Sequence, residues 1–381
     1  MFPYIFIILV LFIGALGEIT IANKRNIKIL FIIESLLITL FVGLRFHTGA
    51  DWASYEYAFY NMPSLGNYPH WEYGYYILNL IGNKLLGNYY VFQFLVSCFV
   101  VYSASRFFWK HTEYPLSCLL LFFILFIPNG LLMAQVRQSI AVAIILLGYK
   151  HIIDKSLVKF ILFVVIASLF HISAIIALPM YFMIKKIPNS ILIITVLLFQ
   201  IFYFVPEITA YILKFLLKFM PDRLENIGNT YINHVFYANK AQFNTGIYYI
   251  ASILLATIVI FLVKNNTPTR SFILNSLAIT IIIGTLSTSI NILDRFKPYY
   301  LIFGIAAYPL IFNVKISKIK QYASSMIMMT LLFTFFYIPF HEKLTSEKID
   351  FRINLPVNHS WNPYYNAIIH PKEAEFRTDK K

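Results

Sequence analysis

The sequence predicts an all-α, polytopic integral membrane protein with about eleven transmembrane helices, within a range of about nine to thirteen. Hydrophobic residues make up 59% of the chain and charged residues only 13%, whereas soluble domains carry about 25% charged residues. The mean hydropathy is +0.70, and apolar runs of roughly 20 residues recur along the chain. Helices are expected because lipid-exposed backbone must satisfy its own hydrogen bonds.

Eleven apolar windows are long enough to cross a bilayer by the criterion of about 20 residues. They fall at about 2–22, 29–46, 89–109, 116–134, 136–153, 160–183, 189–206, 246–263, 271–293, 297–313 and 322–340. The segment 73–87 is apolar but short, so it is expected to span, re-enter or lie flat. The chain is therefore predicted to form one integral domain.

Three polar regions frame this domain, which we assign to residues 1–340. Extracytoplasmic loops are predicted at about 45–72 and 207–245, and a polar tail at 341–381. The first part of 207–245 spaces its apolar residues as in a helix lying in the membrane interface, ended by Pro221-Asp222. This loop is either a substrate cradle or a passive connection. The last ten residues have the composition of a disordered segment.

Basic residues predict the topology. Lys24, Arg25 and Lys28 follow the first span, which places the first connection in the cytoplasm and the loop after the second span outside. The same rule places 207–245, the region around Asp294–Arg295 and the tail outside.

The middle of the chain gives a contradiction under this rule. Lys155 and Lys185 both have cytoplasmic character, although one predicted span, 160–183, separates them. Both lie inside only if an element between them fails to cross. Counting charges therefore does not decide which ends of the helices in about 110–206 face the cytoplasm.

Composition and motifs exclude several functions. The net charge of +14 is explained by basic residues beside helix ends, and no basic stripe indicates nucleic acid. The two cysteines, Cys98 and Cys118, lie in apolar runs, so neither a disulfide framework nor a metal site is expected. No P-loop, GxGxxG or HExxH motif is present, which argues against an ATP-driven pump, a dinucleotide enzyme and a zinc protease. We expect neither a cofactor nor a metal.

The stretch from Leu44 to Asn79 is the first candidate site, because it clusters ionisable and aromatic residues between apolar spans. Gly49 permits a tight turn that would fold Asp51 back towards Arg45. Asp51 and Tyr55 are one helical turn apart, and Tyr76 follows Glu72 at the same spacing, so each carboxylate is expected to share a helix face with a phenol. The structural alternative for Asp51 is an N-cap.

Polar residues inside apolar segments supply further candidates. Arg137, with Gln138 beside it, stands at the head of an apolar helix, where a charge is costly unless paired or hydrated; the alternative is a snorkelling arginine. His171 is either a helix-packing partner or a proton acceptor lining a cavity. Arg295 is either a ligand for substrate or a structural partner of Asp294. Arginine forks suit a pyrophosphate, aromatic faces suit sugar rings, and a carboxylate suits a hydroxyl proton.

The ordered motifs of the chain resemble one known family. The segments GLRFHTGADWASYEYAF, WEYGYYILN, VRQSIAVAIILLGYKHI, FHISAIIALP and DRFKPYY together resemble the EpsG family, which is grouped with the Wzy-type polymerases of O-antigen and capsule. The similarity extends from about residue 40 to residue 310, and the segment NPYYNAIIH near the end of the chain also fits the family. One departure is the Trp52-Ala53 pair after the aspartate, where a tyrosine is more usual.

The resemblance implies a glycosyltransferase of the bacterial inner membrane that works at the periplasmic face. It would join oligosaccharide repeat units carried on undecaprenyl pyrophosphate, and our own hypothesis is that it does so without a metal. The family's motif residues fall on Arg45, Gly49, Asp51, Tyr55, Glu72, Arg137, His171 and Arg295.

From the residues and the resemblance together we assign roles. Arg137, with Arg45 or Arg295, would hold the pyrophosphate, while Gly49, Tyr55, Tyr76 and Gln138 would complete the binding site. Asp51, Glu72 or His171 would accept the hydroxyl proton.

The expected partners are the lipid-linked oligosaccharide and the bilayer, with a chain-length regulator as a candidate. A flippase or exporter of the same glycan, a membrane acyltransferase that modifies it, and a non-enzymatic scaffold are the alternatives. Sugar identity, linkage and oligomeric state are not specified by the sequence.

Overall fold

The computed structural model describes most of the chain. The described residues are 2–20, 23–49, 51–61, 71–127, 130–219, 225–226, 228–229, 243–314, 321–345, 349–350, 355–356 and 365–366. The predicted helix end at Pro221-Asp222 and the last ten residues lie outside this range. These residues form two compact units, of which one comprises 1–151, 156–175 and 315–381 and the other 152–155 and 176–314.

Among the described residues, the first unit contains nine α-helices. They are α1 (Phe2–Thr20), α2 (Lys24–Gly43), α3 (Trp52–Asn61), α4 (Tyr73–Leu86), α5 (Tyr89–His111), α6 (Pro115–Phe126), α7 (Val136–Ile153), α8 (Leu157–Ser168) and α15 (Gln321–Thr345). Local signals set several of these ends. The side chain of Asn88 accepts the N–H groups of Tyr90 and Val91 at the start of α5, and Gly87, at φ +62°, closes α4.

Short strands join the tail to this unit. Strand β1 (Arg45–Phe46) pairs antiparallel with β4 (Tyr365–Asn366), while β2 (Ile349–Asp350) pairs with β3 (Leu355–Pro356). The backbone of residues 365–366 therefore lies beside the first predicted extracytoplasmic loop.

The second unit contains the remaining helices. They are α9 (Asn189–Phe199), α10 (Ile201–Phe204), α11 (Pro206–Leu217), α12 (Phe243–Leu262), α13 (Pro268–Ser289) and α14 (Lys297–Gly304), with 3-10 helices at Asn291–Phe296 and Ile305–Asn313. Its core is formed where α13 packs along α14, at a place where Gly304 allows the backbone of Leu277 to approach closely.

The protein is a helical membrane protein, and the described residues do not confirm the predicted count of eleven spans. Among the described residues, five helices are long and apolar enough to cross a membrane, namely α1, α2, α5, α7 and α13. A sixth is reached if α9–α10 and α11, bent by 94°, count as one span. The shorter apolar helices include Pro115–Phe126, Leu157–Ser168 and Ile172–Phe182. The higher count therefore stays a prediction.

The predicted span 160–183 is two elements rather than one helix. Helix α8 ends at Ser168, and a 3-10 helix runs from Ile172 to Phe182. The Tyr181 hydroxyl donates a 2.7 Å hydrogen bond to the carbonyl of Lys155, the residue two positions before α8 begins. A straight continuation would put residue 181 some 40 Å from residue 155, at about 1.5–2.0 Å of rise per residue. The chain therefore folds back at residues 169–171.

This hairpin explains the charge contradiction in the middle of the chain. Lys155 and Lys185 lie at the same end of it, since it leaves from one and returns towards the other. With about 18 Å of rise, α8 is also shorter than the roughly 30 Å hydrocarbon core of a bilayer. The charge pattern therefore predicts a re-entrant pair at this place, and we call the two elements the re-entrant hairpin.

Candidate functional site

The candidate site lies at one end of the first unit. The C-terminal end of α2 and the N-terminal end of α5 meet there, because the Gln93 side chain donates to the carbonyls of Gly43 and Arg45. The N-terminal end of α1 reaches the same place, where the Tyr4 hydroxyl contacts the Met133 sulfur at 4.0 Å. The segment before α7 is therefore at this end as well.

Basic residues gather at the opposite end of the same helices. The ring of Phe31 on α2 packs 5.2 Å from that of Trp109 on α5, and Phe107 packs 5.1 Å from Tyr149 on α7. The positively charged side chains of this end are Lys24, Arg25, Lys28, Lys110 and Lys150. The candidate site and the basic end are thus separated by the length of α2, α5 and α7.

Arg137 forms the centre of the site. Its Nη1 atom donates a 2.6 Å hydrogen bond to Glu72 Oε2, and the two side chains are 23% and 20% exposed. The guanidinium carbon lies 5.2 Å from the centroid of the Trp71 ring, within the distance of a cation–π contact. Its Nε atom is buried with no hydrogen-bond partner among the described residues. One donor of the guanidinium is therefore unpaired among the described residues.

Tyr55 also lies within hydrogen-bonding reach of the Arg137 guanidinium. Burial raises the pKa of the Tyr55 phenol above its usual value, the guanidinium of Arg137 opposes this rise, and the negative charge of Asp51 adds to it. Tyr55 is therefore a neutral hydroxyl at physiological pH.

Glu72 links Arg137 to the turn of the re-entrant hairpin. Its Oε1 atom accepts the N–H of Ile172 at 3.2 Å, and the N–H of Gly74 donates to the carbonyl of Leu169 at 2.8 Å. A Cβ atom on Gly74 would lie 2.7 Å from that carbonyl oxygen, so only glycine fits this contact. The backbone groups freed at the turn are thereby satisfied, as burial in a membrane requires.

The residues predicted on the two short loop helices keep the expected spacing of one helical turn. Asp51 lies just before α3, and the Tyr55 N–H donates to the Asp51 carbonyl at 3.2 Å. Tyr76 follows Glu72 on α4 as predicted, but the Glu72 carboxylate faces Arg137 and Ile172. The fully buried phenol beside this group is Tyr75, which packs 5.7 Å from the Tyr55 ring.

Arg45 is buried and held by several oxygen atoms. Its Nη1 donates to the Val42 carbonyl at 2.6 Å and to Ser97 Oγ at 3.3 Å, and its Nε donates to the Met133 carbonyl at 3.2 Å. Gly49, at φ +104°, lies against the same Met133 carbonyl. Both residues therefore position the segment that leads into α7 and Arg137, and their predicted contact with substrate stays a prediction.

The other predicted residues have separate settings. His171 is buried at the hairpin turn, with its Nδ1 atom 2.5 Å from Ser173 Oγ. Gln138 is buried on α7. Arg295 belongs to the second unit, in the 3-10 helix that contains Asp294, whose carboxylate pairs with Lys297 at 2.5 Å. The structure thus brings Arg137, Glu72 and Tyr55 together, and it leaves the roles of His171, Gln138 and Arg295 as predictions.

Three aromatic or acidic partners of this site received no role from the sequence. Trp71 contacts Arg137, Tyr75 packs on Tyr55, and Glu56 accepts a 2.8 Å hydrogen bond from the Tyr90 hydroxyl. A sequence signal existed for Glu56, which follows Trp52 by four positions and therefore shares its helix face. Trp71 and Tyr75 offered no comparable signal. No group of three or more His, Cys, Asp or Glu residues within the described ranges is arranged to hold a metal ion.

Comparison with known proteins identifies one family. The model of the EpsG family matches residues 28–364, which is most of the chain. No curated protein matches the sequence, and no solved structure matches it either.

Proposed function

The chain belongs to the EpsG family, a family of Wzy-like polymerases, and from that premise we propose that it joins oligosaccharide repeat units carried on undecaprenyl pyrophosphate. The product is an O-antigen, capsule or exopolysaccharide chain. The family match supports a glycosyltransferase-like polymerase in general, and Arg137 carries the finer proposal. A half-buried guanidinium with an unpartnered Nε is suited to a pyrophosphate, which arginine binds through several parallel hydrogen bonds.

In this proposal the site faces the periplasm across the bacterial inner membrane. The support is the separation of Arg137 from the basic end of α2, α5 and α7, which the positive-inside rule assigns to the cytoplasm. The apolar helices too short for the span criterion complete the proposed set of about eleven crossing or re-entrant segments. Undecaprenyl tails then reach the site from the surrounding lipid.

Arg137 binds the pyrophosphate of the donor and offsets the negative charge that develops as it leaves, without a metal. Trp71 and Glu72 fix the guanidinium, through the 5.2 Å ring contact and the 2.6 Å ion pair. Both oxygens of Glu72 accept hydrogen bonds, which favours a positioning role over proton transfer. Asp51 and His171 stay as the proposed alternatives for the proton acceptor.

A genetic experiment tests this function. In a strain that lacks its own copy, Arg137→Ala is expected to give surface glycan of a single repeat unit at normal protein level, whereas the natural sequence restores the polymer ladder. Arg106→Ala is the matched control, since Arg106 is exposed on α5 and contacts Tyr102. A full ladder from Arg137→Ala would remove this residue from the mechanism.

A reconstitution separates polymerase from flippase. Purified protein in detergent, supplied with lipid-linked repeat units, is expected to form polymer, since polymerisation needs no membrane asymmetry and flipping does. Absence of polymer in detergent together with transfer across vesicles would favour the exporter. Transfer of an acyl group to the glycan would favour the acyltransferase.

A further inference from the structure

An imidazole near the candidate site is held in a fixed orientation. The His47 ring stacks between Phe46, at 3.9 Å between centroids, and Trp52, at 3.8 Å, with interplanar angles of 18° and 21°. Its backbone has φ +49°, a left-handed conformation that few non-glycine residues adopt. Such strain is held in place by the surrounding structure and is concentrated at functional sites.

A carboxylate faces one nitrogen of this ring. His47 Nε2 lies 3.5 Å from Glu56 Oε2, and the side chains are only 8% and 18% exposed. The other oxygen, Oε1, accepts the 2.8 Å hydrogen bond from the Tyr90 hydroxyl. Tyr90 therefore fixes the carboxylate beside Nε2, which is buried and makes no hydrogen bond among the described residues. This is the arrangement of a general base oriented by an acid.

Helix α3 carries this pair beside Arg137. Tyr55 follows Trp52 by three positions and Glu56 follows it by four, so each of them neighbours Trp52 on the helix surface. Trp52 stacks on His47, while Tyr55 lies against the guanidinium of Arg137. The ring that stacks on His47 and the phenol that lies against Arg137 are thus about one helical turn apart along α3.

We propose that His47, oriented by Glu56 and Tyr90, is the group that accepts the proton of the acceptor hydroxyl, in place of Asp51, Glu72 or His171. This rests on the proposed polymerase function. The acceptor oxygen forms a bond to the anomeric carbon of the donor sugar as its proton passes to His47 Nδ1. The bond between the anomeric carbon and the pyrophosphate oxygen breaks, and undecaprenyl pyrophosphate leaves with the electron pair beside Arg137. His47 then returns the proton to solvent.

The test is chemical rescue of purified variants with lipid-linked repeat units. His47→Ala is expected to lower the polymerisation rate by about 100-fold or more, the usual contribution of a general base. Added imidazole is expected to restore part of the rate, whereas pyrazole, a ring of the same size that is a much weaker base, is not. Equal rescue by both rings would indicate that the ring only fills the space between Phe46 and Trp52, and would overturn the proposal. A rate within threefold of the natural sequence would also overturn it.

Two further variants keep the result decisive. Glu56→Gln retains the shape of the side chain, so a loss of about 10-fold in kcat with unchanged KM supports a positioning role, and an unchanged kcat contradicts it. If His47→Ala is not recovered as folded protein, His47→Gln is compared with the natural sequence at matched thermal stability. A polymerisation rate equal to that of the natural sequence would contradict the proposal, and a loss of about 100-fold would support it. His151→Ala, at the basic end of α7, is the matched control.

The proposed function and this proposal fail in different ways. If the natural sequence makes no polymer in this assay, the polymerase function fails. If the natural sequence and the His47 variants make polymer equally well, only the role of His47 fails.

Discussion

Arg137 and Glu72 meet at 2.6 Å between the start of α7 and the start of α4, although 65 positions separate them in the chain. The carboxylate also accepts the N–H of Ile172, the first residue after the turn of the re-entrant hairpin. Glu72 therefore joins three separate segments through two hydrogen-bond acceptors.

Removal of the Glu72 carboxylate is expected to destabilise the protein. Glu72→Ala leaves the guanidinium and the Ile172 N–H without their acceptor, and we expect a loss of roughly 2–3 kcal/mol, below the range for fully buried pairs because both side chains are partly exposed. Thermal unfolding in detergent measures this. In a double-mutant cycle with Arg137→Gln, the combined loss should be smaller than the sum of the single losses. Strict additivity would show that the pair does not couple.

Trp71 is expected to hold the guanidinium through its ring face. Trp71→Leu removes the cation–π contact, which contributes about 0.5–2 kcal/mol, and should raise KM for the lipid-linked donor severalfold. Trp71→Phe keeps an aromatic face and should lie between Trp71→Leu and the natural sequence. The measurement is the initial rate of polymer formation against donor concentration. Equal KM values for the leucine and phenylalanine variants would contradict this role.

Gly74 is expected to be sensitive to a single methyl group. In Gly74→Ala the new Cβ would lie 2.7 Å from the Leu169 carbonyl oxygen, so the hairpin turn must shift and polymerisation should fall at least 10-fold. Gly284→Ala is the control, since a Cβ there meets nothing within 4 Å. Ladder length on a gel and thermal stability report the two effects. A full ladder from Gly74→Ala would show that the close backbone contact is dispensable.

The re-entrant hairpin predicts the sidedness of two exposed lysines. In a chain without Cys98 and Cys118, Lys155→Cys and Lys186→Cys should both react with an impermeant thiol reagent from the cytoplasmic side. Tyr57→Cys, on exposed α3 surface, should react from the opposite side. Labelling of residues 155 and 186 from different sides of the membrane would contradict the hairpin and indicate that 160–183 crosses as a single span.

Tyr55 is expected to affect stability at alkaline pH. Burial raises the pKa of the Tyr55 phenol in the folded protein above its usual value of about 10, so unfolding releases a proton at any pH between the unfolded and folded pKa values. The protonated Tyr55 phenol contributes fully to the free energy of unfolding below about pH 10. This contribution is lost as the pH rises through the folded-state pKa. Tyr55→Phe should therefore lose less stability between pH 9 and pH 11 than the natural sequence, as measured by thermal unfolding. An identical decline in both proteins would contradict this.

The membrane class and most helix positions follow from composition and apolar length, and the site follows only in part. The window 89–109 matches α5 because a long apolar run determines a helix. The window 160–183 misleads because its turn is stabilised by Gly74 and Glu72, far away in sequence. Hydropathy alone contains no information about such a partner. Arg137 stood out as a charge in an apolar segment, but its contacts with Trp71 and Glu72 depend on tertiary packing.

The shortness of α8 has a consequence for the depth at which the reaction centre sits. In the proposed topology, a helix of about 18 Å that turns back would end inside the hydrocarbon layer, and Glu72 contacts that turn directly. The polyprenyl carrier would then keep its tail in the leaflet while its headgroup sinks slightly towards the midplane. Repeat units would then be joined below the membrane surface, and the growing polysaccharide would extend from there into the water.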